Sequence, residues 1–205
     1  MNFHEFRKKM FILGYFTPNQ VYTWHAEFDK NNLVRWEKKG LLVKLRNGHY
    51  SFPEFLGEKS FSLFIANRIY RPSYVSLHTA LSFYGLIPES VVQITSVSTL
   101  KTATFQNPFG TYSYQTVQPR FMFGFETRPL PGGRSLLLAR PEKALFDLLY
   151  LYPFYNTEQE LTALRIDPDL IHDDFDIGLF RSYIARIQSK TMERRSELFL
   201  KVYGL

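Results

Sequence analysis

One set of side chains in the sequence has the composition of a nuclease-like acid and lysine site. Its members are Glu126, Glu142, Lys143 and Asp147. Glu142 and Lys143 fall in the first turn of a predicted helix, where the helix dipole alone explains an acid. Asp147 follows Lys143 by one helical turn, so an i, i+4 ion pair explains both residues. We therefore predict that this set is structural and that the chain is not an enzyme.

The sequence also lacks the spacing of a metal or nucleophile site. The five histidines stand at positions 4, 25, 49, 78 and 172, without HxH or HxxxH spacing, and there is no cysteine. The acidic stretch 167–176 lacks the glycine and closing glutamate of an EF-hand. The glycines at 132 and 133 join two predicted strands, as in a hairpin turn. We expect no catalytic residue, no metal and no cofactor.

A second set of side chains is suited to nucleic acid. Between Asp29 and Gly40, Leu33 and Trp36 share one face of a predicted helix at 100° per residue. The opposite face has donors and no acid: Asn31, Arg35 and Lys38, with Lys39 beside them. A predicted hairpin follows, and it carries Lys44, Arg46 and His49. We predict base contacts from Arg35 and phosphate contacts from Lys38, Lys39 and Lys44.

The elements around these residues are marked by local signals. Thr17, Pro18 and Gln20 predict a capped helix that buries Val21, Trp24 and Phe28. Asp29 caps the next helix and Gly40 ends it. Strands at 41–46 and 49–52 flank Asn47 and Gly48, the residues favoured in a type I′ turn. This order predicts a winged helix-turn-helix in residues 1–56, packed on a first helix over 2–15. Small domains that contact only protein share the order, so that alternative stays open.

The rest of the chain predicts a larger α+β domain over 57–205. Apolar residues at helical spacing predict helices over 58–70 and 76–84. From 91 to 139 the period falls to two, which predicts a mainly antiparallel sheet from strands at 91–99, 110–118, 120–128 and 135–139. Helices resume from Pro141, with further ones near 157–164, 168–172, 176–188 and 191–203. The predicted fold class is therefore α+β, with the sheet flanked by helices.

Charge divides the chain into three parts. The formal net charge of +6 comprises +4 in residues 1–56, +5 in residues 57–140 and −3 in residues 141–205. A positive field favours a polyanion, either DNA or RNA. The middle part carries five cations on or beside predicted strands: Lys101, Arg120, Arg128, Arg134 and Arg140. Because side chains alternate along a strand, several of these cations could lie on one face and form a second surface for nucleic acid or a partner. Solvated charges spread in all directions are the alternative.

Three ordered segments resemble a known family. ANRIYRPSYVSLHTALSFYGLIPE at 66–89, TSVSTLKTATF at 95–105 and ARPEKALFDLLY at 139–150 resemble motifs of AbiEi-type proteins. These are the antitoxin and transcriptional-regulator half of type IV toxin–antitoxin systems. The resemblance extends to the N-terminal segment and covers most of the chain, but matches the last fifty residues only loosely.

The resemblance implies a repressor that binds operator DNA of its own promoter. In the paired systems the C-terminal part opposes a nucleotidyltransferase-like toxin. Carried over to this sequence, DNA contact falls on Lys30, Asn31, Arg35, Lys38 and Lys39, and on Arg46, Asn47 and His49. A stand-alone regulator without a toxin, or an interaction module without DNA, remain the alternatives. The sequence has no predicted signal peptide or membrane span, so we expect a cytoplasmic protein.

Overall fold

The computed structural model describes residues 1–88 and 92–205. Glu89 of the first resembling segment and Val91, where a strand was predicted to begin, lie outside the described residues. The described chain contains helices, a three-stranded sheet and a six-stranded sheet, so the predicted α+β class is confirmed. No helix in this part of the chain is long and apolar enough to cross a bilayer.

The small sheet is built from the first 52 residues. The elements here are α1 (Phe3–Met10), β1 (Tyr15–Phe16), α2 (Pro18–Trp24), α3 (Asn31–Lys38), β2 (Val43–Arg46) and β3 (His49–Ser51). β3 lies between β1 and β2 and is antiparallel to both. The predicted first helix over 2–15 was too long. It ends at Met10 because a 3₁₀ turn and Gly14, with φ of +68°, redirect the chain into β1.

The large sheet begins after residue 57. Its strands and associated helices are α4 (Lys59–Ile69), β4 (Ser73–Val75), α5 (Leu77–Phe83), β5 (Gln93–Ser98), β6 (Ala103–Asn107), β7 (Gly110–Thr116), β8 (Phe125–Leu130), β9 (Arg134–Ala139) and α6 (Pro141–Leu151). The strand order is β6-β7-β5-β4-β9-β8. The β5–β7 and β4–β9 pairings are parallel, so the sheet is mixed where a mainly antiparallel one was predicted.

Helices cover the two faces of the large sheet. Tyr114 on β7 donates its hydroxyl to the Ala66 carbonyl of α4 at 2.7 Å. Tyr74 on β4 donates to Asp147 of α6 at 2.9 Å. Because Tyr74 pairs with Val97 while Tyr114 pairs with the adjacent Ser96, the two tyrosines point to opposite faces. α4 therefore covers one face and α6 the other.

Four further helices complete the described C-terminal part. They are α7 (Glu158–Thr162), α8 (Pro168–Asp174), α9 (Ile177–Ala185) and α10 (Lys190–Tyr203). α9 and α10 pack beside α6, with Phe180 and Phe199 fully buried between them. The predicted helices near 157–164, 168–172, 176–188 and 191–203 are confirmed, with their ends shifted by a few residues.

Aromatic and arginine side chains join the parts that hold the two sheets. Phe55 stacks on Phe61 with ring centroids 4.4 Å apart. The Arg134 guanidinium lies 4.6 Å from both rings and 3.4 Å from the Glu58 carboxylate. The β2–β3 hairpin packs beside β6, and the Asn107 amide donates to the Leu45 carbonyl at 3.2 Å. One side of the hairpin is thus covered by the large sheet.

Candidate nucleic-acid interface

The two ends of α3 are fixed by local hydrogen bonds. The Asp29 carboxylate accepts the Asn31 N–H at 2.9 Å, as the predicted cap requires. At the other end Gly40 has φ of +69°, and its N–H and that of Leu41 bond to the carbonyls of Glu37 and Trp36. These are the two bonds of a Schellman motif. α3 spans Asn31–Lys38 and so lies within the predicted limits of Asp29 and Gly40.

The buried face of α3 fixes its rotation about the helix axis. Leu33 is fully buried, and the Trp36 ring packs against Phe6, with centroids 4.7 Å apart, and against Phe3 at 5.2 Å. Phe28 is also buried against Trp36, at 5.9 Å. Trp24, predicted to be buried, is instead 39% exposed. It is the last residue of α2, and its ring lies beside His25.

The opposite face of α3 is exposed and carries donors. All of the predicted helix contacts lie there: Lys30, Asn31, Arg35, Lys38 and Lys39. Val34, which the prediction omitted, is 45% exposed in the same stripe. An apolar side chain among donors is suited to a thymine methyl group. Its position was available from the sequence, since at 100° per residue Val34 lies away from Leu33 and Trp36.

Arg35 has polar neighbours at the start of α3. Its Nη2 donates to the Asn32 amide oxygen at 2.6 Å and lies 3.4 Å from an Asp29 carboxylate oxygen. The predicted absence of acid from this stripe was therefore wrong, because Asp29 reaches over the first turn. The Arg35 and Asp29 side chains are 63% and 52% exposed. An ion pair so exposed contributes little to stability, and the guanidinium can exchange Asp29 for another acceptor.

The hairpin turn differs from the predicted type I′ turn. Gly48 has φ of +76°, but Asn47 is not among the described non-glycine residues with positive φ. The strand pairing shifts between Lys44 and Arg46, where β2 carries one extra residue, as in a β-bulge. Lys44 and Asn47 are exposed on this hairpin.

Arg46 and His49 have internal partners. The Arg46 guanidinium donates to the Ile69 carbonyl at 2.8 Å and lies 4.3 Å over the Phe105 ring. The His49 Nδ1 is 2.7 Å from the Tyr15 hydroxyl. Burial lowers the pKa of His49, and the charges of Arg46 and Arg71 lower it further. Both predicted DNA-contact residues thus lie where the hairpin meets the large sheet and α4, away from the exposed stripe.

The five cations of the middle part do not share one surface. Arg128 and Arg140 both reach Glu126, at 2.6 and 3.6 Å. Arg134 has a largely buried side chain between the two sheets. Lys101 and Arg120 follow β5 and β7, which run parallel, at the end of the sheet opposite Arg140. The prediction of a shared face fails because the strand order separates residues that are near in sequence.

The nuclease-like set is divided between two places: Glu126 and Glu142 line one pocket, whereas Lys143 and Asp147 lie in the core. Lys143 and Asp147 are fully buried as an i, i+4 ion pair, and the same carboxylate accepts from Tyr74 and Ser76 at 2.9 and 2.8 Å. The Glu142 carboxylate accepts the Asp176 N–H at 2.9 Å. Burial raises the pKa of Asp147 and lowers that of Lys143, while each charge opposes the shift in the other. The predicted ion pair is confirmed, and neither partner reaches solvent.

The chain matches no protein-family model, and a search of curated proteins finds no similar sequence.

Proposed function

We propose that the chain is a DNA-binding transcriptional autorepressor. In this proposal residues 1–56 act as a winged helix-turn-helix, with α3 as the recognition helix and the β2–β3 hairpin as the wing. The order α1-β1-α2-α3-β2-β3, with β3 central in the sheet, supports it. The single observation on which the proposal rests is the face of α3. The helix is capped at both ends, its buried face is anchored by Leu33 and Trp36, and its opposite face presents donors to solvent.

Each exposed residue then has a chemical role. The planar fork of Arg35 matches the O6 and N7 acceptors of guanine, and Val34 beside it suits a thymine methyl. Lys38, Lys39 and Lys44 supply charge to phosphates, as does Lys30 at the start of the helix. Asn31 and Asn47 add hydrogen-bonding amides. Arg46 acts indirectly, because its contacts with Ile69 and Phe105 hold the hairpin against α4 and the large sheet, and His49 acts indirectly through its bond to Tyr15 of β1.

Binding to its own promoter tests this proposal. The whole chain is titrated onto a labelled duplex of its upstream region and onto a shuffled duplex of equal composition. We expect preferential binding to the upstream duplex at moderate salt, with affinity that falls steeply as salt rises. Equal affinity for both duplexes would reject the repressor. No binding to either would favour an interaction module without a DNA role.

We further propose that residues 57–205 act as the antitoxin part, opposing a nucleotidyltransferase-like toxin in the cytoplasm. The support is the three segments that resemble AbiEi-type motifs. They contribute to one core in the fold: Tyr74 and Ser76 come from the first, and Lys143 and Asp147 come from the third. These four residues are buried, so the resemblance supports a common fold more directly than a common partner surface.

Co-expression with the product of the neighbouring gene tests the antitoxin role. We expect the chain to restore growth when that product is toxic. Arg35→Ala should restore growth equally, because neutralisation then does not depend on operator binding. Failure of the wild-type chain to restore growth would leave a stand-alone regulator as the function. Rescue needs no stable complex, so growth rather than co-purification is the measurement.

A further inference from the structure

A polar pocket of about 390 Å³ lies where β1 and α2 meet the C-terminal end of α4. Its polar lining comes from both parts of the chain. Tyr15, Thr17 and Gln20 belong to the first part, and Arg68 and Arg71 to the second. Leu13 and Phe64 complete the lining. The proposed function does not use any of these residues.

The pocket contains two arginines that no carboxylate in the described part of the chain neutralises. Among its described lining residues none is an acid, and neither arginine takes part in an ion pair with a described acid. The Arg68 guanidinium lies 4.8 Å over the Phe64 ring, and its Nε is buried without a hydrogen-bond partner. Burial lowers the pKa of Arg68 and the charge of Arg71 lowers it further, so an anion beside the two guanidinium groups would be stabilising.

Arg71 and Gln20 add donors at the mouth of the pocket. The Arg71 Nε donates to the Asn67 carbonyl at 3.1 Å, which fixes the guanidinium and leaves its terminal nitrogens for a ligand. The Gln20 amide oxygen accepts the Thr17 N–H at 2.9 Å in the capping box. With its oxygen occupied, the Gln20 side chain has its NH₂ group left to donate.

The pocket lies at the same end of the small sheet as the hairpin turn. Phe16 pairs with Tyr50, and the Tyr15 hydroxyl is 2.7 Å from Nδ1 of His49, the residue after Gly48. A duplex that contacts the turn would therefore pass near the pocket. This relation to DNA rests on the proposed function, whereas the charge and donor pattern of the pocket does not.

We propose that this pocket binds a phosphate group, held by Arg68 and Arg71. The arginine fork matches the oxygens of phosphate and gives two hydrogen bonds per side chain. The phosphate comes either from the DNA backbone or from a free phosphorylated small molecule.

The free-phosphate arm of the test uses AMP, with adenosine as the matched ligand that lacks phosphate. Calorimetric titration of the whole chain should show binding of AMP and not of adenosine. Arg71→Gln should weaken AMP binding about tenfold or more, because it removes a charged hydrogen-bond donor. Arg68→Gln should do the same, but Arg68 also packs on Phe64, so Arg71→Gln is the primary variant. Arg120→Gln is the control, since Arg120 lies 4.8 Å over a phenylalanine ring outside the pocket.

The DNA arm measures the slope of log affinity against log salt for the upstream duplex. If the phosphate belongs to the backbone, Arg71→Gln lowers the slope by about 0.9 while Arg120→Gln does not. An effect in either arm supports the pocket and identifies the source of its phosphate. The proposal is overturned if AMP and adenosine behave alike and both variants keep the same slope. If the wild-type chain binds no DNA, the proposed function fails and the AMP arm alone decides the pocket.

Discussion

Lys44 and Arg46 are two cations on β2 with different surroundings. Lys44 is exposed, whereas Arg46 is packed on Phe105 and bonded to the Ile69 carbonyl. We predict that Arg46→Met lowers the free energy of unfolding by about 1–3 kcal/mol and leaves the salt slope of DNA binding unchanged. Lys44→Met should lower that slope by about 0.9 and change stability by less than about 0.5 kcal/mol. Urea unfolding and salt-dependent DNA titration measure the two effects.

The opposite pattern of effects would support the original prediction that Arg46 contacts DNA. If Arg46→Met lowered the salt slope and left the urea midpoint in place, its internal contacts would be incidental. The sequence alone assigned both residues to DNA, because a strand pattern shows which residues alternate and not what covers each face. The covering residue here, Phe105, is 59 positions further along the chain. The exposed face of α3 was predicted better, because Leu33 and Trp36 fix the face within one element.

The Lys143–Asp147 pair is predicted to be strongly coupled. Removing one partner leaves an uncompensated charge in a fully buried site, so Lys143→Met should destabilise the fold by about 3–5 kcal/mol. Lys143→Met combined with Asp147→Asn should recover part of that loss, since no buried charge remains and the Asn oxygen can still accept from Tyr74 and Ser76. A double-mutant cycle by urea unfolding measures the coupling. Additive losses in the double variant would contradict the prediction.

At the scale of elements, Gly14 and Gly40 both have positive φ values but lie in different environments. Their φ values are +68° and +69°. A Cβ on Gly14 would lie 2.8 Å from the Phe61 ring, whereas a Cβ on Gly40 would have no atom within 4 Å. Gly40→Ala should cost about 1–2 kcal/mol from backbone strain alone. Gly14→Ala should cost about 1–3 kcal/mol more, because Phe61 is buried against Phe55 and has little room to move.

Urea unfolding of the two glycine variants gives this comparison directly. Equal losses would mean that the contact between Gly14 and the Phe61 ring of α4 is loose. Elements with local signals were predicted from the sequence, as the Thr17–Gln20 capping box and the Gly40 helix end illustrate. β6 was missed although it pairs only with the next strand, β7, across a short turn. The parallel β5–β7 and β4–β9 pairings were not predicted, because they join strands that are not consecutive in the chain.

At the scale of the whole molecule, His49 lies at the junction of the two parts. Burial and the charges of Arg46 and Arg71 lower its pKa in the folded chain. As the pH falls, His49 of the unfolded chain therefore binds a proton near pH 6.5, whereas His49 of the folded chain binds it only at lower pH. We predict that stability is full above that pH and falls as the pH drops towards the lowered pKa of His49. Unfolding free energies at pH 7.5 and 5.5 measure the fall.

The His49→Gln variant should lose part of that pH dependence, since it removes the group whose pKa changes on folding. His25→Gln removes an exposed imidazole and controls for the loss of one histidine. A fall in stability that is the same in wild type and His49→Gln would assign the pH dependence to carboxylates elsewhere in the chain.

The DNA reading proposed for the whole molecule depends most on Arg35. Arg181 gives a matched control, because its exposed guanidinium lies 3.3 Å from Glu197, much as Arg35 lies 3.4 Å from Asp29. The measurement is the ratio of affinities for the upstream and shuffled duplexes, taken at one salt concentration for wild type, Arg35→Ala and Arg181→Ala. Loss of a bidentate guanine contact worth about 1–3 kcal/mol should lower the ratio roughly 5- to 150-fold in Arg35→Ala. Arg181→Ala should keep the wild-type ratio. An Arg35→Ala variant that loses affinity for both duplexes equally, or for neither, would contradict base reading by α3.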